Sequence, residues 1–85
     1  MTWDFRIIRT KTDKKKLKKA MRQFADDYCY QIHEVYYEHG FINSWTGPIE
    51  PLGCDEKELI GDIILMLQAY NKPVLEIVKD KLEVV

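Results

Sequence analysis

The stretch from Tyr28 to Trp45, YCYQIHEVYYEHGFINSW, decides the fold. Its first eleven residues, up to Glu38, are rich in aromatic and β-branched side chains, the composition of a strand. Glu38-His39-Gly40 reads as a tight turn, because glycine adopts positive φ without steric cost. Phe41 to Thr46 then returns as a partner strand. Gly47-Pro48 ends it, and Pro51-Leu52-Gly53 is a second irregular stretch.

On the N-terminal side, residues 3 to 10 alternate between Trp3, Phe5 and Ile7 on one face and Asp4, Arg6 and Ile8 on the other. That period of two predicts a half-buried first strand. Asp13 is placed to cap a helix from about Lys14 to Ala25, with Leu17, Ala20, Met21 and Phe24 on one apolar stripe. The charges of this segment oppose its dipole: lysines crowd the first turn, and Asp26-Asp27 follow the last. Local electrostatics therefore did not select them. Either the segment is a partly ordered insertion, or its lysines serve a partner.

On the C-terminal side, Asp55 and Glu58 have the spacing of a capping box. Leu59, Ile60, Ile63, Ile64, Leu67 and Tyr70 then form a broad apolar helix face, wide enough to cover one side of a three-stranded sheet. Asn71-Lys72-Pro73 breaks that helix. In the tail, Val74, Ile77, Val78, Lys81, Leu82 and Val85 fall at helical spacing, while the run VLEIV suits a strand equally well. The helix is the favoured reading. The expectation is a single α+β domain over residues 1–85: a three-stranded antiparallel sheet, a basic helix inserted after strand 1, a C-terminal helix packed on one face, and a tail that is helical or a fourth strand.

The net charge of −1 hides an uneven distribution. Up to Phe24, nine basic side chains face two acidic ones, giving +7; from Ala25 onward, four lysines face twelve acids, giving −8. Such asymmetry suits a basic contact surface or two halves that attract each other. The opening MTWDFRIIRT is mixed and charged, unlike a secretory leader, and the longest apolar run, Ile63 to Leu67, is far short of a membrane span. Cys29 and Cys54, without a leader and without metal-knuckle spacing, predict free thiols in a reducing cytoplasm.

Each chemical motif fails on geometry. His33-Glu34 resembles the start of a zinc-protease helix, but the next histidine is His39, in a segment that reads as strand and turn. Six strand residues span roughly 20 Å, too far for two ligands of one ion. Cys29 and His33 share a face yet stand roughly 13 Å apart, beyond thiol activation. Phosphate-binding loop, nucleophile elbow and paired carboxylates are all missing. The expectation is a protein without enzymatic activity, cofactor or metal.

The tyrosines of the hairpin fall in two sets. Tyr28, Tyr30, Ile32 and Tyr36 share one face and read as the helix-covered side, interrupted by Glu34. A β-bulge near His33-Glu34 would instead turn Val35 and Tyr37 inward. Either way at least one tyrosine and His33 should face solvent. Beside a +7 arm, exposed aromatics could stack single-stranded nucleic acid, whereas large aromatics more often fill a small core.

From Tyr30 onward the chain resembles a group of short, uncharacterised bacterial and phage proteins. The shared features are the Trp-containing first strand at Trp3 to Arg6, the I-H-E-V-Y-Y hairpin at Ile32 to Tyr37, and Ser44-Trp45-Thr46. Pro51 to Gly53, the Leu-rich helix from Glu58 to Tyr70, and K-P-V-L-E at Lys72 to Glu76 complete the pattern. Relative to it, Lys11 to Asp27 looks like an insertion. More distantly, three strands followed by the EKEL-containing helix resemble the N-terminal domain of HicB-type antitoxins. That likeness implies a small non-catalytic protein binding a protein toxin. The sequence thus predicts a cytoplasmic protein acting by protein contact, as partner or by self-association, and not at a membrane. The competing expectation is a nucleic-acid-binding module. The candidate surface residues are His33, Glu34, Trp45, Lys15, Lys16, Lys18, Lys19 and Arg22.

Overall fold

A computed structural model of the chain describes residues 1–13, 15 and 27–85. The elements are β1 (Thr2–Lys11), β2 (Tyr28–Glu38), β3 (Phe41–Trp45), α1 (Glu56–Met66), β4 (Leu75–Val78) and β5 (Lys81–Val84), with a 3-10 turn at Leu67–Asn71 continuing α1. The strands form one mixed sheet in the order β3-β2-β1-β4-β5. It curls into a nearly closed barrel. Its two edges, β3 and β5, border one open cleft lined by Phe41, Ile42 and Trp45 on one side and Asp80, Lys81 and Leu82 on the other.

This corrects the expected three-stranded antiparallel sheet covered by helices. The tail is neither a helix nor a single fourth strand but a hairpin that adds two strands. Lys79 and Asp80 take positive φ, 49° and 63°, and form its two-residue turn. Such a turn carries the twist that flanking strands require. Leu75, Ile77 and Leu82 all pack into the core cluster, as a period of two demands. The helical spacing of the tail was a coincidence of two short strands joined by two residues. The helix expected from Lys14 to Ala25 lies, apart from Lys15, outside the described residues. At its base, Thr12 N–H donates to the Asp27 carbonyl at 2.9 Å, extending the β1–β2 ladder by one step.

The β1–β2 register runs unbroken from Thr2↔Tyr37 to Lys11↔Tyr28, so no bulge falls at His33-Glu34. The irregularity is on the other side of β2, where Tyr36 pairs with Ser44 and Tyr37 with Ile42, leaving Asn43 as the extra residue of β3. Regular alternation therefore puts His33, Val35 and Tyr37 on the core side. Tyr28, Tyr30, Ile32, Glu34 and Tyr36 are on the outer side. The tyrosine set read as helix-covered belongs to the outer face.

The core is small. Among the described residues, Ile8, Val35 and Leu75 are the fully buried members of its main cluster, one from each of the three central strands. Around them pack Tyr37, Ile42, Trp45, Ile77 and Leu82, so every strand contributes. Burying each of the three contributes about 1.5–3 kcal/mol.

The weakest seam is the parallel one. β1 meets β4 through only Ile8↔Leu75 and Arg9↔Glu76. Side chains of β1 reinforce it on both faces. Outside, Arg9 Nε pairs with Glu76 Oε1 at 3.2 Å, and its guanidinium lies 4.2 Å from the centre of the Tyr28 ring. On the core side, Lys72 Nζ meets Asp4 Oδ2 at 2.7 Å, and an Arg6 guanidinium N–H donates to the Pro73 carbonyl at 2.8 Å.

Candidate contact surface

α1 begins where the sequence places it. Asp55 accepts from the Glu58 N–H at 2.8 Å, and the Glu58 carboxylate accepts from Cys54 N–H at 3.0 Å. The preceding loop is held by Asp62, whose carboxylate accepts from Leu52 N–H at 2.8 Å. Gly53 packs so closely on the first turn that an added Cβ would stand 2.8 Å from the Glu58 carbonyl carbon. No side chain fits between loop and helix there.

What α1 does not do is cover the sheet. Met66 is its buried residue, and Ala69 in the 3-10 turn is fully buried. The 3-10 turn packs on β1. At 100° per residue, Leu59, Ile63, Leu67, Ile60 and Ile64 occupy an arc of about 140° that starts beside Met66. Exposure is lowest beside Met66, at Leu59 with 36% and Ile63 with 40%, and higher further round, at Ile60 with 48% and Ile64 with 58%. Leu67 and Tyr70 extend the patch, 61% and 80% exposed. Where helix meets sheet, an apolar notch of about 130 Å³ separates Ile32 and Pro51 from Ile63, Met66 and Leu67. The apolar stripe predicted from sequence is present, but most of it faces solvent.

The outer sheet face continues this apolar character. Trp3 is 53% exposed and meets Phe5 edge-to-face at 5.2 Å, and Tyr30 is also largely exposed. The expectation that a tyrosine faces solvent holds for Tyr30.

His33 does the opposite of what the sequence suggested. It is 4% exposed and sits on the core side, paired with Arg6 across β1–β2. Its Nδ1 lies 2.8 Å from the Thr46 carbonyl, so Nδ1 carries the proton and donates. Thr46 also receives Glu34 N–H on its hydroxyl at 3.1 Å and gives its own N–H to the Glu34 carbonyl at 3.0 Å. His33 thus pins the chain leaving β3 to β2. Trp45 is half-buried against the core cluster, and Glu34 accepts the Tyr36 hydroxyl at 2.7 Å on the outer face. These three residues are not gathered into one site. Of the basic candidates, Lys16, Lys18, Lys19 and Arg22 lie outside the described residues; Lys15 is described and exposed.

Sequence reasoning missed a polar cluster on the core side of β1. Tyr37 donates its hydroxyl to Asp4 Oδ1 at 2.8 Å and accepts from an Arg6 guanidinium N–H at 2.8 Å. Asp4 and Arg6 then clamp Lys72 and Pro73. The alternation that put Asp4 and Arg6 opposite Trp3 and Phe5 was visible, but polarity suggested solvent. Arg6 Nε and His33 Nε2 are buried without a protein partner. Burial pushes the Tyr37 phenol above its ordinary value, and the bond to Asp4 adds to it, against the opposing pull of Arg6. Because the shift is upward, the stability it confers is complete below the unfolded phenol's range near 10.0 and is lost as pH rises through the folded value. Urea midpoints of the wild type should therefore fall more steeply above pH 10 than those of Tyr37→Phe; parallel declines would refute this.

Among the described residues, no three His, Cys, Asp or Glu side chains converge as metal ligands. Cys29 and Cys54 are both free and exposed. No described helix is long and apolar enough to cross a membrane. No protein-family model, curated protein or solved structure matches the chain.

Proposed function

We propose that the protein works by protein–protein contact rather than by chemistry of its own, in the manner of a small regulatory or antitoxin-like cytoplasmic protein. The observation that carries this reading is α1. A capped, well-formed helix presents Ile60, Ile64, Leu67 and Tyr70 to solvent, although burying them on its own sheet would have stabilised the fold. Apolar patches of this size mark surfaces that another molecule covers. The polar groups of β1 have a structural role: Asp4, Arg6, Tyr37 and Lys72 bond to one another and tie β1 to the segment before β4, with Arg6 Nε left unpartnered.

The test is a comparison of the full chain with its Ile60→Asp, Ile64→Asp variant as baits in the native host. Proteins retained by the wild type, untagged copies of the chain included, should be depleted at least tenfold on the variant. Identical retained sets would overturn the reading.

A further inference from the structure

The inference that follows rests on the contact reading and names the occupant of the surface. We infer that the α1 face is covered by a second copy of this chain, in an antiparallel two-fold helix–helix contact centred near Ile63.

Area is the first argument. Leu59, Ile60, Ile63, Ile64, Leu67 and Tyr70 are 36%, 48%, 40%, 58%, 61% and 80% exposed, a surface on the order of the ~800 Å² each partner contributes to a stable interface. The second argument is the core. Among the described residues the buried apolar side chains are Ile8, Val35, Met66, Ala69 and Leu75, a small set, and small domains gain stability by association.

The third argument fixes the geometry. Glu56 is the one charged residue inside the apolar arc, at its N-terminal end, and the last turn of α1 carries no basic residue. A parallel pairing would bring the two Glu56 carboxylates together. A two-fold antiparallel pairing sends them to opposite ends and sets each positive helix N-terminus beside its partner's negative C-terminus. Ridges of Ile60 and Ile64 on one helix then meet the same ridges on the other.

Sedimentation of the wild-type chain should give twice the 10.1 kDa chain mass, and the thermal midpoint should rise with protein concentration. Ile60→Asp with Ile64→Asp should give a folded monomer or, where association is obligatory, an unfolded chain. A dimer that survives this pair of substitutions overturns the assignment to α1. A second variant does not depend on the first one folding. Ile64→Cys, placed in a chain also carrying Cys29→Ser and Cys54→Ser, should cross-link under mild oxidation at least tenfold faster than Ser44→Cys in the same chain. Equal rates overturn the geometry. A wild-type monomer with a concentration-independent midpoint overturns the second copy outright. The contact reading would then stand or fall on whether the aspartate variant still retains the same host proteins.

Discussion

Leu75→Ala should cost about 2–5 kcal/mol, because it removes the side chain at the centre of the core. Leu75 is wholly buried beside Ile8 of its parallel neighbour, with Val35 one strand beyond Ile8 in the same cluster. A domain of this size has about 4–13 kcal/mol in all, so the loss is a large share of the total. At constant protein concentration the urea midpoint should fall accordingly, and the melting temperature by roughly 8 °C or more. A change under about 1 kcal/mol would mean that β4 is not central to the core.

Asp4→Ala is the second large effect, and its mechanism is different. The substitution removes the acceptor of the Tyr37 hydroxyl and the partner of Lys72 in one step. The Lys72 and Asp4 side chains are 33% and 28% exposed, so the ion pair alone would contribute only about 0–1 kcal/mol. The half-buried phenol left without its acceptor raises the expected cost to about 1–3 kcal/mol. Hydrogen exchange should show the loss concentrated at β4 and β5, because Asp4 secures the approach to that hairpin. A uniform loss over all five strands would show that the seam is not where the stability is localised.

The boundaries of β1, β2 and β3 and the Asp55 cap were legible because each carries a local signal: alternation, a Gly40 turn, and a carboxylate three residues before Glu58. The tail was not. Val74 to Val85 satisfies a helical stripe and two short strands at once, and only pairing with Ile8 and Arg9, far away in sequence, decides between them. The inward face of β2 was misassigned for a related reason. Tyr28, Tyr30 and Tyr36 are bulkier than Val35, so bulk suggested the core, whereas polarity at His33 suggested solvent. In the structure Thr46 supplies the histidine with a partner, and Arg6 and Asp4 supply Tyr37 with two. A polar group is cheap to bury once its partner is in place, and the partners here lie on other strands. The apolar stripe of α1 was read correctly as a stripe, but sequence periodicity cannot say what a stripe faces.

The parallel seam has a further consequence, in time rather than in energy. Arg9 and Glu76 are 67 residues apart, and Ile8 reaches Leu75 over the same span. Contacts of such high sequence separation slow folding, since the intervening loop must be closed before they can form. Strands β1, β2 and β3 can assemble as a meander with one side of Ile8 and Val35 still open. That core is sealed only when residue 75 arrives, so a partly synthesised chain holds an unpaired β1 edge and an unfinished core until β4 has emerged.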